Sequence, residues 1–234
     1  MQIEGKNSVL EALRVGKKFE SLLILQGSKS CGEIEQLAAA KKIGIKYVPK
    51  QKLDDISKTH KHQGVIAYIE GFKYVPLESL FKDDGFVVLL DSIEDPHNLG
   101  SIIRTCECAG VDGIVIPKHR ACEVNETVFK TSAGAVNHVK IAQVGSLNDA
   151  IEKMKDNGYF VFATAMDGEL AKNTNLKGKI GIVIGNEGSG VGRLIKEKCD
   201  VTVSLPMCGK VNSLNASVAA GIILYEVARQ RLGL

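Results

Sequence analysis

The stretch LPMCGKVNSLNASVAAG, residues 205–221, decides how the second half of the chain can fold. It follows the β-branched run Val201–Val203. Pro206 and Gly209 exclude regular structure from its first part, because proline lacks an N–H group and glycine costs the most backbone entropy. The small residues after Ser213 then favour a helix. The sequence therefore predicts a strand, a polar loop and a helix N-terminus, which offers N–H groups to a small polar ligand.

Two other polar stretches follow apolar runs in the same way. The first, DSIEDPHNLGSIIRTCECAG (residues 91–110), follows the run Val87–Leu90. The second, IGNEGSGVG (residues 184–192), continues the run that begins at Ile180. Open α/β sheets bind ligands at the carboxyl ends of their strands, so we expect these two stretches and the 205–221 stretch to meet there.

Strands alternate with helices throughout the second part of the chain, and the strand candidates are rich in Val and Ile. This pattern is typical of a parallel α/β sheet, and by itself it predicts a plain doubly wound one. Strands are predicted near 86–90, 113–116, 139–142, 159–164, 180–184 and 201–204, and helices near 99–109, 124–133, 147–157, 190–196 and 213–230.

The first 72 residues indicate a smaller α/β unit. Asn7 is predicted to cap a helix over residues 8–13. Further helices are predicted over 33–42 and 53–58, and strands over 21–25, 45–48 and 65–69. Residues 73–85, which contain Pro76, are predicted to be a linker. We therefore predict a small domain over 1–72 and a larger one over 86–234.

Composition excludes several classes of protein. Apolar residues make up 44% of the chain and charged residues 24%, which is ordinary for a globular protein. No run approaches the roughly 18 apolar residues of a membrane span, and the N-terminus lacks a secretory h-region. Six cysteines show neither disulfide-framework nor metal-ligand spacing, and His60 and His62 have no acid or cysteine at ligand spacing. The sequence predicts a cytoplasmic protein with reduced thiols, no membrane contact and no metal site.

Charge is distributed unevenly along the chain. Residues 1–72 contain 12 Lys and Arg against 8 Asp and Glu, whereas residues 73–234 contain 18 against 19. A basic small domain joined to a near-neutral larger one is typical of an enzyme with a nucleic-acid-holding module. Lysines that only solvate the surface of a small domain explain the charge equally well.

The three polar loops, in this order and spacing, resemble the motifs of the SpoU family, the knotted RNA ribose 2′-O-methyltransferases that use S-adenosylmethionine. The resemblance covers residues 87–231. The segments GKNSVLEAL (5–13) and HQGVIA (62–67) are similar to the substrate-binding domain of the bacterial 23S rRNA guanosine members. The resemblance implies an α/β fold in which a small N-terminal L30e-like domain precedes a C-terminal parallel-sheet SPOUT domain with a trefoil knot. It also implies a homodimer.

The resemblance also implies roles for individual residues. Those carried over as catalytic are Asn98, Arg104, Glu187, Ser213 and Asn215, and those carried over as cofactor-binding are Thr164, Gly185, Leu205, Met207 and Leu214. From the residues alone, Arg104 is a solvated helix arginine and Ser213 and Asn215 are helix caps. A guanidinium is a poor base because it keeps its proton in proteins, so we interpret Arg104 as an orienter of RNA. The proton acceptor stays open.

Other functions compete with methyl transfer to large-subunit rRNA. A tRNA substrate is disfavoured because the compact tRNA members of the family lack a front domain. A non-catalytic RNA- or ribosome-binding module is disfavoured because all the motif residues are present. A nicotinamide oxidoreductase is disfavoured because the loop at residues 185–190 is GxxGxG, not the GxGxxG of dinucleotide-binding folds.

Overall fold

The computed structural model describes residues 1–58, 60–210 and 213–233. Its contacts divide the chain into two compact units. The front unit contains Met1–Lys73 and Val124–Lys130, and the second unit contains Tyr74–Glu123 and Thr131–Leu234. The segment Val124–Lys130 thus groups with the front unit although it lies far along the chain, a feature that the predicted linear division does not include.

The front unit contains a four-stranded sheet in the order β1-β4-β2-β3. Its elements are β1 (Gln2–Glu4), α1 (Lys6–Arg14), β2 (Phe19–Leu25), α2 (Gly32–Ala40), β3 (Ile45–Val48), α3 (Lys50–Ile56) and β4 (Val65–Ile69). β4 runs antiparallel to β1 and β2, while β2 and β3 are parallel. The unit has its own core, in which Leu13, Leu22 and Ile34 are almost wholly buried.

The front unit differs from its prediction in three details. β1 was not predicted, because three residues are too few to show an alternating pattern. α1 begins at Lys6 with Gly5 as its N-cap, so Asn7 lies inside the helix and does not cap it. α3 ends at Ile56 because Ser57 is extended, so the helix predicted over 53–58 lies earlier in the chain.

The second unit contains a six-stranded sheet in the order β10-β8-β9-β5-β6-β7, with parallel neighbours throughout. Its elements are β5 (Phe86–Leu90), α4 (Pro96–Cys108), β6 (Gly113–Pro117), β7 (Lys140–Val144), α6 (Leu147–Asp156), β8 (Phe160–Leu170), β9 (Ile180–Ile184), α7 (Arg193–Lys198), β10 (Val201–Ser204) and α8 (Ala216–Leu232), while α5 (Glu126–Thr131) spans the boundary between the units. The predicted parallel sheet is confirmed. The final helix begins at Ala216 and not at 213, because Asn215 is its N-cap; part of the preceding loop, residues 211–212, lies outside the described residues.

The core of the second unit lies on the two central strands. Every residue of β5 and β9 is buried, as expected for parallel strands with both faces covered. Asp91 and Gly185 directly follow these two strands. Asp91 of the first quoted stretch and Gly185 of the second therefore both lie at the carboxyl edge of the sheet, where a ligand site is expected.

β8 is longer than predicted because it leaves the sheet and returns. Ala163 pairs with Thr202, and the next pair along β10 joins Glu169 to Val203. Residues 164–168, which we call the β8 excursion, therefore form no pairs with β10. Gly168 allows the strand to return, since a Cβ there would lie 2.5 Å from the Thr202 carbonyl oxygen. Among the described residues, no helix has the length and apolar character needed to cross a membrane.

Candidate functional site

The glycine-rich loop at residues 185–192 folds tightly on itself. A Cβ on Gly185 would lie 2.1 Å from the carbonyl carbon of Gly190, so a side chain cannot fit at position 185. The Oδ1 atom of Asn186 accepts hydrogen bonds from the N–H groups of Gly188 at 3.0 Å and Ser189 at 2.8 Å. The loop shape thus depends on one close backbone approach and one asparagine side chain.

Asp91, which directly follows the central strand β5, accepts a hydrogen bond from this loop. Its side chain is 8% exposed. Its Oδ2 atom accepts the N–H of Gly192 at 2.7 Å, and its Oδ1 atom accepts the hydroxyl of Ser92 at 2.9 Å. The sequence analysis gave Asp91 no role. An acidic residue that directly follows a fully apolar strand was the available signal, because buried carboxylates need hydrogen-bond donors.

Three of the predicted catalytic residues form one hydrogen-bonded cluster. The Oε1 atom of Glu187 accepts the Asn98 Nδ2–H at 2.9 Å, the Ala216 backbone N–H at 3.2 Å and the Asn215 Nδ2–H. Asn215 Nδ2 also donates to Asn98 Oδ1 at 3.1 Å. The three sequence stretches therefore meet at Glu187, and its negative charge lies at the N-terminus of α8, where the helix dipole favours it.

Helix caps position both asparagines of this cluster. Asp95 caps α4 by accepting the His97 N–H at 2.8 Å, which places Asn98 in the first turn. Asn215 caps α8 itself, since its Oδ1 atom accepts the Ser217 N–H at 3.0 Å and the Val218 N–H at 3.3 Å. Asn215 therefore combines the capping role and the site role that the sequence suggested.

A cavity of about 380 Å³ opens beside Glu187. Thr164 is fixed at its wall, because its Oγ1 atom donates to the Val183 carbonyl at 2.9 Å. All the residues predicted to bind the cofactor line this cavity, together with two of those predicted to be catalytic: Thr164, Gly185, Glu187, Leu205, Met207, Ser213 and Leu214.

Three polar or large residues of the cavity wall are among those that the sequence analysis did not predict. Met166 and Asp167 come from the β8 excursion, and Lys196 comes from α7. The Lys196 Nζ donates to both Asp167 carboxylate oxygens, at 2.6 and 2.8 Å, and these bonds hold the pKa of Asp167 below its usual value. Because the excursion depends on pairing between residues about 35 positions apart, no local pattern could have indicated it.

Arg104 is the predicted site residue that lies neither in the cavity wall nor in the Glu187 cluster. Ile102, Ile103 and Cys106 are buried, and Arg104 lies exposed on the other side of α4. It is absent from the cavity wall, and within the described ranges it forms no ion pair with this chain. An exposed guanidinium with free donors is well suited to bind an anionic group of another molecule.

Comparison with known proteins matches both units of the chain. The family described as "SpoU rRNA Methylase family" matches residues 85–225, and the one described as "RNA 2′-O ribose methyltransferase substrate binding" matches residues 2–75. The chain is 44% identical over 236 residues to YacO of Bacillus subtilis, which is assigned to the TrmH family of tRNA/rRNA methyltransferases; the match covers 97% of this chain and 94% of YacO.

Solved structures show the same fold. The SpoU methyltransferase AviRb of Streptomyces viridochromogenes, in complex with S-adenosylmethionine, matches 99% of this chain and 90% of its own, with a TM-score of 0.87 and 26% identity. A rRNA methyltransferase of Sinorhizobium meliloti, also bound to this donor, matches 98% of this chain and 86% of its own, with a TM-score of 0.82 and 27% identity. A tRNA-modifying enzyme of A. aeolicus matches 67% of this chain and 80% of its own, with a TM-score of 0.59 and 29% identity.

Proposed function

We propose that this chain, which belongs to the SpoU (TrmH) family of RNA ribose 2′-O-methyltransferases, methylates a guanosine of 23S rRNA, in the cytoplasm and as a homodimer. The observation that supports an rRNA substrate is the front unit. The rRNA methyltransferase of S. meliloti matches 98% of this chain, whereas the A. aeolicus tRNA enzyme matches 67%. An RNA substrate-binding domain at residues 2–75 distinguishes this chain from a catalytic domain alone.

The cavity is suited to S-adenosylmethionine, the donor that this family uses. Its volume of about 380 Å³ lies within the range of ordinary small-molecule sites. Gly185 lines the cavity and has no side chain, so a ligand can approach the loop backbone closely there. Leu205, Met207 and Leu214 supply apolar contact for the adenosine part. When bound, the donor supplies an electrophilic methyl group on a sulfonium sulfur.

The chain's own residues position the reaction. The Glu187 carboxylate is held by three N–H donors at one oxygen, which fixes its orientation and its charge beside the cavity. Asn98 and Ser213 provide polar groups that can orient a ribose 2′-hydroxyl for in-line attack. We assign Arg104 to an RNA phosphate near the target ribose, because a guanidinium binds phosphate oxygens through paired N–H donors. The residue that accepts the hydroxyl proton stays open.

A loop of the front unit, described over residues 57–58 and 60–64, has the features of an RNA contact. Lys58, His60 and Lys61 are exposed on it. His60 and Gln63 have φ angles of 55° and 53°, conformations that non-glycine residues seldom adopt. A basic loop held in a strained shape presents its cations at fixed positions, which favours recognition of a phosphate backbone.

Buried polar groups hold this loop in place. The Glu4 side chain is fully buried and accepts the Ser57 hydroxyl at 2.6 Å and the Lys58 N–H at 2.6 Å. His62 is 8% exposed, and its two ring nitrogens contact Asp54 at 2.9 Å and the Gly64 N–H at 3.0 Å. Buried hydrogen bonds of this kind rigidify a segment, which supports a binding role for the loop and not only surface solvation.

An apolar stripe on α8 supports the homodimer. Val218, Ile222, Tyr225 and Leu232 are between 47% and 72% exposed. Their spacing places them on one face of the helix. Exposed apolar stripes of this kind mark protein interfaces.

The experiment that tests the proposal uses methyl-labelled S-adenosylmethionine with 23S rRNA and with tRNA, both purified from a strain that lacks this protein. We expect incorporation at a single guanosine 2′-oxygen of 23S rRNA, located by mapping the modified ribose. Incorporation into tRNA alone would replace the rRNA proposal with the tRNA one. No incorporation into either RNA, although the donor binds, would indicate a non-catalytic RNA-binding module.

A further inference from the structure

The donor cavity has charged side chains at two places in its wall. One place is the hydrogen-bonded cluster around Glu187, and the other lies outside that cluster. Glu187 is bonded to the first turns of α4 and α8. Asp167 and Lys196 lie on the β8 excursion and on α7, and they are bonded to each other. Of the described residues that line the cavity, these three carry charge, as two carboxylates and one ammonium.

The charges of S-adenosylmethionine are the complement of this set. The donor carries a sulfonium, an α-ammonium and an α-carboxylate, which are two cations and one anion. The reacting sulfonium belongs near the Glu187 cluster, where the target ribose is oriented. The remaining zwitterionic end of the donor then matches the remaining pair of charges in the wall. We propose that Lys196 binds the α-carboxylate of the donor and Asp167 its α-ammonium.

The local geometry leaves both groups able to bind a ligand. A lysine ammonium has three N–H donors, and the bonds to the two Asp167 oxygens leave a donor for a third acceptor. The Lys196 side chain is 31% exposed and that of Asp167 is 73% exposed. An ion pair this exposed contributes little to stability. Both groups line the cavity wall and are accessible to a ligand, and the inference rests on the donor site proposed above.

The test compares ligands with and without the amino-acid end. Binding of S-adenosylmethionine, S-adenosylhomocysteine and 5′-methylthioadenosine, which lacks the amino acid, is measured by titration calorimetry. We expect Lys196→Ala and Asp167→Asn to lower the affinity for S-adenosylmethionine and S-adenosylhomocysteine by about 10-fold or more. This is the scale of one charge-assisted hydrogen bond. We expect the affinity for 5′-methylthioadenosine to change by less than about 2-fold, since this ligand contacts neither Lys196 nor Asp167.

The chain offers a matched control on the same helix. Arg193 pairs with Glu197 at 3.1 Å on α7, and neither residue lines the cavity. Arg193→Ala should leave the binding of all three ligands unchanged, and Lys196→Arg should retain most of the binding of the first two. If Lys196→Ala lowered the affinity for all three ligands equally, the Asp167–Lys196 pair would only support the β8 excursion. If the variant bound all three ligands as the wild type does, the amino-acid end of the donor would lie elsewhere. Failure of the wild-type chain to bind any of the three ligands would instead contradict the donor site itself.

Discussion

Replacement of Asp91 by alanine should loosen the donor site and destabilise the second unit together. The Asp91 carboxylate is buried and accepts the Gly192 N–H at 2.7 Å. A hydrogen bond to a charged group contributes about 1.5–3 kcal/mol, and the N–H left without an acceptor adds to the loss. The second bond, from the Ser92 hydroxyl at 2.9 Å, adds less, because Ser92 is only partly buried and can reach water. We expect the free energy of unfolding to fall by about 2–4 kcal/mol.

Two further variants separate the contribution of the Asp91 charge from that of the Ser92 hydrogen bond. Asp91→Asn keeps an oxygen for the Gly192 N–H and removes only the charge, so it should lose less than half as much stability as Asp91→Ala. Ser92→Ala removes only the weaker bond and should change stability by less than about 1 kcal/mol. Urea unfolding followed by circular dichroism measures the stabilities, and calorimetry measures donor binding. Asp91→Ala should weaken donor binding, because the 185–192 loop loses its hydrogen bond to Asp91 at the end of β5. An alanine variant within about 0.5 kcal/mol of the wild type would refute this reasoning.

Four other predictions follow from the site and the two units. Arg104→Ala should abolish methyl transfer while donor affinity measured by calorimetry stays within about 2-fold; loss of both would mean that Arg104 is structural. Gly185→Ala should abolish donor binding and lower the free energy of unfolding by about 1–3 kcal/mol in urea, because its Cβ would overlap the backbone of the loop. Lys58→Glu should weaken rRNA binding in a filter assay and flatten its salt dependence, whereas Lys41→Glu, at the C-terminus of α2, should not; equal effects would remove the specific role of the loop that carries Lys58. Hydrogen bonds from Arg229 and Gln230 lower the pKa of Glu226 to about 2 from 4.5. The stability that these bonds provide is therefore present above pH 4.5 and declines as the pH falls toward 2. Urea unfolding of Glu226→Gln should lack this decline.

The sequence predicts the central sheet well because the relevant signals are local. β5 and β9 are uninterrupted apolar runs, and both were predicted at their observed bounds. The meeting of the three polar loops followed from strand direction alone, since parallel strands end at one edge. The role of Gly185 was also accessible, because a glycine directly after a buried strand indicates close backbone approach.

The parts that were not predicted depend on partners far away in the chain. The β8 excursion exists because β10 pairs with residues on both sides of it, and it alone brings Asp167 to Lys196. The start of α8 was placed at Ser213, because serine and asparagine both cap helices and composition cannot choose between them. The grouping of Val124–Lys130 with the front unit is likewise a tertiary contact without a local signal.

Asn215 has a consequence for any attempt to redesign this enzyme. Its oxygen terminates a helix and its nitrogen donates to the Glu187 carboxylate, so one side chain must be acceptor and donor at once. Aspartate would keep the cap but set a second negative charge against Glu187, serine is too short to reach both partners, and glutamine would move the oxygen away from the helix N–H groups. An amide one methylene from the backbone is the chemical group that satisfies both demands. Residue 215 therefore has to be held fixed when the residues around it are redesigned.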